Sequence, residues 1–438
     1  MCGRGRLPAC RRRLGPDRRA GHPPLQGRLR AAGSGPSARR GAAASRHRDP
    51  EIDLRGPMTD SAPCPTPDCG TGFATAEARW ARLGPYYAMF PIRFAQDAID
   101  RYTDPGDVVL DPFCGRGTAP YAAMVAGRDA VACEINPVAW VYAATKTAPA
   151  PDPDAVKGRI GAIAEAVEAE DREPESEFQT LAFCPTVLGF LNVARRELCW
   201  RSDTTDRTVA ALILQYLHSK LPQGLSNQMR HCRAMAPDYC VRWWNDNGYD
   251  TPPEVDPVSF LNTRVDWRYR KGIPEKSHSS GVTVTLGDSA TDLAEPAAPA
   301  RLVVTSPPYS GVTDYGVDSW LRLWAVGEGP ALPKWETKQK YVSLTRYRTM
   351  LEAVFAATAA RTHPDAAWLV RCDARKRTLD VVRPILTDIV GDRDVEVSPA
   401  PFSRPTQTSL YGDRATKPGE MDLLVRPTAT TASANRCR

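Results

Sequence analysis

The sequence predicts an α/β fold: a doubly wound, mostly parallel sheet with a largely helical insert. Three observations lead there. Short apolar runs such as Val108-Val109-Leu110 and Leu302-Val303-Val304 have the length and β-branching of strands buried on both faces. Turn residues follow these runs and helical stretches follow the turns, the alternation of an open sheet with helices on both faces. Between two groups of such units, residues 151–275 read mostly as helix.

The 438 residues allow two domains, or one domain with large insertions. Residues 1–57 hold 14 arginines against 4 acids, so the net charge of +6 belongs to this segment and the rest of the chain is net acidic. Rich in Arg, Gly, Pro and Ala, with almost no large apolar residues, it cannot bury a core and is expected to be a disordered basic tail. A nucleic-acid-binding arm is its functional alternative. No apolar run approaches a membrane span and no signal-peptide core is found, so a cytoplasmic protein is expected. Of the 12 cysteines, Cys64 and Cys69, and Cys232 and Cys240 beside His231, are spaced too widely for a zinc finger or ribbon. Scattered reduced thiols and no metal site are expected.

Residues 58–150 form the first part of the sheet domain. Around Tyr86 to Phe94 the chain turns amphipathic, and Pro91 can open a helix that carries Ile92, Ala95, Ile99 and Tyr102 at helical spacing. The first strand stops at Asp111-Pro112 and turns through Gly115 and Gly117, where glycine lets backbone approach a ligand. A helix runs from Ala119 to Ala126, and the second strand, Ala130 to Cys133, ends in Glu134, the place for a carboxylate that takes ribose hydroxyls. Asp111 is either a strand-end cap or an acceptor near the ligand. Candidate cofactor residues are therefore Asp111, Phe113, Gly115, Gly117, Thr118, Glu134 and Asn136.

A further helix, Val138 to Lys146, is broken at Ala148 to Pro153. The insert then carries Arg230, His231, Arg233, Arg242, Trp243, Trp244 and the run Asp266 to Lys271. Basic residues interleaved with aromatics suit a surface that meets phosphates and stacks on bases, a possible DNA-recognition region. The plainer reading is a helical subdomain with a solvated charged face. Residues 276–428 resume the sheet. Strands are expected at Val282–Leu286, Ala300–Thr305, Ala366–Arg371, Val395–Val397 and Met421–Val425, with helices over Tyr315–Trp324, Tyr347–Thr358 and Leu379–Val390. Residues 429–438 are polar and expected to fray.

Two motifs stand at strand ends. Asp111-Pro-Phe-Cys-Gly-Arg-Gly-Thr118 resembles the S-adenosylmethionine-binding motif of amino-methyltransferases acting on nucleic acid bases, and Thr305-Ser-Pro-Pro-Tyr309 resembles their catalytic motif. The family is that of the S-adenosylmethionine-dependent DNA amino-methyltransferases, over about residues 86–146 and 280–425. Ser306 before Pro307-Pro308-Tyr309 is most like the members that methylate N4 of cytosine. The resemblance implies a Rossmann-like methyltransferase sheet, S-adenosylmethionine as cofactor, DNA as partner, and a segment near residues 86–94 that closes over the methionine end of the cofactor. It also implies an acid near Asp288 holding the adenine amine, and a restriction endonuclease or another defence system as companion.

The chemistry asks for such residues. An exocyclic base amine is a poor nucleophile, so it must be held in line with the methyl sulfonium and bonded as charge develops. Ser306 offers a hydroxyl, Pro307 a carbonyl held rigidly by two prolines, and Tyr309 a face on which a flipped base can stack. The Pro-Cys nucleophile of enzymes that methylate carbon 5 of cytosine has no counterpart, since Cys184-Pro185 has the reverse order. The alternatives are methylation of adenine N6, of a guanine amine in RNA, or non-catalytic DNA binding. An oxidoreductase is disfavoured because the turn is not G-x-G-x-x-G. A chain starting at Met58 is expected to fold and retain methyl transfer. A soluble-expression and activity comparison with the full chain checks this, and an insoluble or inactive truncation contradicts it.

Overall fold

The computed structural model describes residues 72–86, 90–275, 281–310, 315–329, 343–400 and 419–427. The basic tail, Cys64 and Cys69 and the frayed end lie outside them. In chain order the elements are α1 (Ala76–Ala81), α2 (Ile92–Tyr102), β1 (Val108–Asp111), α3 (Thr118–Val125), β2 (Asp129–Glu134) and α4 (Pro137–Thr147). The insert supplies α5 (Pro153–Glu165), α6 (Glu177–Ala182), α7 (Pro185–Glu197), α8 (Thr204–Tyr216), α9 (Pro237–Asp246) and α10 (Pro257–Tyr269). There follow β3 (Val282–Leu286), β4 (Ala300–Thr305), α11 (Tyr315–Asp318), α12 (Trp320–Ala325), α13 (Leu344–Ala359), β5 (Thr362–Asp373), α14 (Lys376–Val390), β6 (Glu396–Ala400) and β7 (Glu420–Val425).

One seven-stranded sheet runs in the order β3-β2-β1-β4-β5-β7-β6. Strands β3 through β5 pair in parallel, and β7 is antiparallel to both neighbours. Side chains alternate across it. Val109, Leu302, Val304, Leu369 and Leu424 pack under α2 and α3. Val108, Leu110, Val303, Trp368, Val370 and Leu423 pack against α13 and α14. Two buried faces explain why the strands read as unbroken apolar runs. This is the doubly wound, mostly parallel sheet expected, of the Rossmann-like methyltransferase kind.

Several helices begin with one local signal. Asn136-Pro137, Asp152-Pro153 and Asp256-Pro257 each put a capping side chain ahead of a proline whose missing N–H costs nothing there. Pro91 precedes α2 as its cap instead of opening its first turn. The insert is continuous with the helical layer over one sheet face. Ile160, Phe190, Leu212, Trp244 and Leu261 share a core with Trp80 of α1, Tyr121 of α3, Val141 of α4 and Trp324 of α12. Among the described residues no helix is long and apolar enough to cross a membrane.

Gly117 carries a packing constraint that its turn position does not reveal. It has φ of +78° and caps α3 without a side-chain bond. A Cβ there would stand 2.7 Å from both Cα and Cβ of Ala143 in α4. The glycine is required by helix packing, whereas a Cβ on Gly115 (φ +52°) would meet only the Tyr86 ring at 3.6 Å. Gly117→Val should therefore destabilise the fold by about 2–5 kcal/mol, combining overpacking with a strained backbone. Gly115→Ala carries the backbone strain without the clash and should cost less, about 1–2 kcal/mol. Chemical denaturation of the two variants checks the contrast, and equal stability would contradict it.

Candidate active site

The strand order changes direction between β1 and β4, and ligands of open α/β sheets sit beyond the carboxyl ends of the strands at such a point. Both motifs lie there. Val109 pairs with Leu302 and Leu110 with Val303, so the ends of the two strands lie side by side. The Thr305 hydroxyl donates to Asp111 Oδ1 at 2.7 Å, joining the motifs across 194 residues of chain. The same oxygen accepts the Phe113 amide at 3.1 Å. Asp111 is buried, does not cap α3, and its Oδ2 has no hydrogen-bond partner among the described residues. Burial pushes its pKa up to about 7, with the Thr305 and Phe113 bonds pulling the other way and the Glu134 charge adding a little.

Glu134 ends β2 as expected, and its two oxygens brace the turn. Oε2 accepts the Gly115 amide at 2.7 Å and Oε1 the Asn136 amide at 2.8 Å. Burial lifts its pKa to about 7 against these backbone bonds. Each oxygen keeps a further lone pair. Asn136 caps α4 through Oδ1 and donates from Nδ2 to the Tyr86 hydroxyl at 3.1 Å. Thr118 is buried at the start of α3, and Phe113 leans on Phe355 of α13, with centroids 6.4 Å apart. Asp288 is exposed past β3, where Oδ1 accepts the Ala290 amide at 2.9 Å. Ser289 ties that segment to the turn by donating to the Pro112 carbonyl.

Tyr86 lies against the glycine turn, while α2, with Ala95, Ala98 and Ile99, packs on the sheet. Helix α2 of the expected closing segment thus packs on the sheet, and residues 87–89 lie outside the described ones. Arg116 donates to the Gly84 carbonyl at 2.8 Å, and the Gly84 amide donates to Gln215 of α8 at 2.7 Å.

At the end of β4, Pro307 and Pro308 are buried, and Ser306 and Tyr309 are half-buried. Ser306 Oγ donates to the Tyr309 hydroxyl at 3.4 Å, which donates to Glu420 Oε1 of β7 at 2.8 Å. Burial and the Glu420 charge hold the Tyr309 hydroxyl well above its usual pKa. Arg371 of β5 stands 3.8 Å from Glu420, grips Asp422 with two bonds of 2.7 Å, and lies 3.8 Å from the Phe94 ring centroid. Burial raises the Glu420 pKa, with Arg371 the chief opposing influence.

Sequence reasoning missed Glu420, Arg371, Asp422 and Phe94. The available signal was two acids at alternate positions of an apolar strand, which in a sheet interior demand a cation. It also missed Ile135, which is 65% exposed immediately after Glu134, an apolar side chain left open at the crevice.

The insert's basic and aromatic residues depart from the surface reading. Trp244 is fully buried and donates to the Gln228 carbonyl at 2.7 Å, and Trp243 stacks on Tyr249. Arg268 is buried, with Trp80 and Trp267 each within 6 Å of its guanidinium. Arg233 pairs with Asp318 at 2.9 Å. These pairs hold the insert together, and Arg230 and Arg242 remain exposed. Among the described residues no group of His, Cys, Asp and Glu is placed to hold a metal.

The family model described as DNA methylase, of the N6 and N4 type, matches residues 70–144, the segment holding the glycine turn and Glu134. The domain has the fold of an S-adenosylmethionine-dependent methyltransferase. No curated protein matches the chain in sequence. Among solved structures it is similar to the rRNA methyltransferase aviRa from Streptomyces viridochromogenes, at 13% identity and TM-score 0.28, over 81% of this chain and 96% of that one. A TehB-like S-adenosylmethionine-dependent methyltransferase from Corynebacterium glutamicum gives 9% identity and TM-score 0.25, over 76% and 86%. A possible methylase from Clostridium difficile gives 10% and 0.26, over 80% and 56%. The strand order within the methyltransferase domain, and not these distant likenesses, establishes the fold.

The two buried carboxyls set a pH dependence. A carboxyl whose pKa is raised on folding binds its proton more tightly in the folded state, so its contribution to stability is present at low pH and is lost as pH rises through the folded value. For Asp111 and Glu134 the window runs from about 4, the unfolded value, up to about 7. Without cofactor, the parent should gain thermal stability relative to Asp111→Asn as pH falls from 8 to 5. Parallel profiles for the two proteins would contradict the assignment.

Proposed function

We propose that this protein methylates an exocyclic amine of a DNA base, N4 of cytosine, with S-adenosylmethionine as donor. The observation that carries the reading is the Thr305–Asp111 bond, which sets the cofactor turn and the Ser-Pro-Pro-Tyr loop side by side at the switch point. The matched family supports an amine as acceptor, and Ser306 in the motif supports cytosine N4 over adenine N6.

The crevice residues fit the cofactor. The unpartnered Asp111 Oδ2 is an acceptor for the methionine ammonium group, in a place where burial makes such a bond strong. Glu134 takes the ribose hydroxyls on its remaining lone pairs, with Asn136 alongside. Ile135 offers an apolar face to the adenine ring, and Asp288 an acceptor at its edge. Gly115 keeps the backbone open between them, and Phe113, Gly117 and Thr118 hold the turn in shape. When bound, S-adenosylmethionine supplies a methyl group on a positively charged sulfur.

The rest is done by the chain. Ser306 Oγ and the Pro307 carbonyl accept the two protons of the target amine and hold its lone pair toward the methyl group. Both acceptors strengthen as the nitrogen gains positive charge, so they act chiefly in the transition state. Tyr309 gives the flipped base a surface to stack on, and the exposed Arg230 and Arg242 of the insert meet the DNA backbone.

Ser306→Ala should cut methyl transfer roughly tenfold to a thousandfold with cofactor affinity nearly unchanged. The assay is tritiated methyl transfer to mixed duplex DNA, followed by mass spectrometry of the nucleosides. N4-methylcytosine supports the reading, and N6-methyladenine corrects the base. Label confined to RNA, or a fully active Ser306→Ala, overturns it.

A further inference from the structure

An amine that is to be methylated reaches its site as a hydrogen-bond donor, so a hydroxyl that holds it must present lone pairs. A serine hydroxyl can turn either way. If its proton faces the amine, it meets another donor and the contact is repulsive. Something must take the Ser306 proton away from the substrate.

The structure contains such a device. Glu420 stands at the start of β7, half-buried beside Arg371, which is itself held by two bonds to Asp422. An ionised carboxylate only accepts. The Tyr309 hydroxyl, 2.8 Å from Glu420 Oε1, must therefore donate to it. That leaves the Tyr309 oxygen as an acceptor, and the hydroxyl 3.4 Å away from it is that of Ser306. At that length the bond is weak, but a rotor with almost no barrier needs only a small bias. The Ser306 proton turns toward Tyr309, and its lone pairs turn outward.

We propose that Glu420 is a positioning residue which, through the Tyr309 hydroxyl, sets the direction of the Ser306 hydrogen bond so that Ser306 is an acceptor for the substrate amine. The inference rests on the amine-methylating reading of the same site. It gives Tyr309 two separate duties, a ring face for the base and a hydroxyl for Ser306. It also gives the two acids of β7 distinct tasks: Asp422 holds Arg371, and Glu420, steadied by Arg371, holds Tyr309.

The test is a set of variants of the full chain, measured for kcat, KM for DNA and cofactor affinity. Tyr309→Phe keeps the ring and removes the hydroxyl. It should lower kcat roughly tenfold, as for loss of one oriented transition-state contact, with KM and cofactor affinity unchanged. In the Ser306→Ala background the same change should have no further effect, because the Tyr309 hydroxyl acts only through Ser306. Glu420→Ala should resemble Tyr309→Phe in kcat, and Glu420→Gln, whose amide oxygen still accepts, should recover part of the loss. A residue that merely supported the fold would lower thermal stability and change Ser306→Ala as much as the parent. An active parent whose Tyr309→Phe is equally fast, or whose two losses multiply, overturns the proposal while leaving the methyltransferase reading intact. A parent that methylates no nucleic acid amine overturns both.

Discussion

The hydrogen bond from Thr305 to Asp111 is the constraint on which the site depends. It lies at the centre of the sheet, between the last residues of two parallel strands, where neither side chain reaches water. A buried carboxyl is tolerated only with partners, and the turn provides them in order: Thr305 from the neighbouring strand and the Phe113 amide from the turn itself. One oxygen is left over. Backbone pairing of β1 with β4 sets the register of the two strand ends, and this bond ties their last side chains together.

Charge in this domain is sorted by depth and by side. Asp111 and Glu134 lie at the crevice, each with a pKa pushed up by burial. Behind them on α4, Lys146 is almost fully buried with its ammonium nitrogen unpartnered among the described residues, and burial beside Arg116 and Arg268 drives its pKa far down. Cys114 sits among these groups, and burial together with both acids raises its pKa. Asp111 keeps one oxygen without a protein donor among the described residues, which suits a site that receives a cationic ligand.

The sheet was legible because its signals are local. Two buried faces give unbroken apolar runs, and three Asx-Pro pairs each open a helix. Glu134 and the glycine turn were legible for the same reason. What sequence could not carry were relations between elements. Gly117 reads as a glycine for a ligand, and only the approach of α4 shows that Ala143 requires it. The arginines and tryptophans of the insert read as a surface for nucleic acid, yet a guanidinium over an indole packs as well inside as outside. Glu420 has no motif at all. Its meaning appears once β7 is antiparallel to β5 and register sets it across from Asp373, near Arg371 and Tyr309.

The insert reaches the reaction centre through two short ties, and this bears on how recognition and chemistry are joined. On the cofactor side, Gln215 of α8 holds the Gly84 amide while Arg116 of the turn holds the Gly84 carbonyl. On the catalytic side, Arg322 of α12 donates to the carbonyls of Leu214, Cys232 and His231, and the Trp320 indole to that of Met235. Helix α12 follows Tyr309 in the chain, so the loop that carries the Ser-Pro-Pro-Tyr motif is fixed at one end by the sheet and beyond it by the insert. All of these bonds go to backbone groups, those of loops and of Leu214 near the end of α8, which position a chain without depending on its side chains. A helical layer fastened in this way cannot move as a separate module over the sheet. If the exposed arginines of that layer meet DNA, the base they present arrives at a site whose surrounding elements are already tied together.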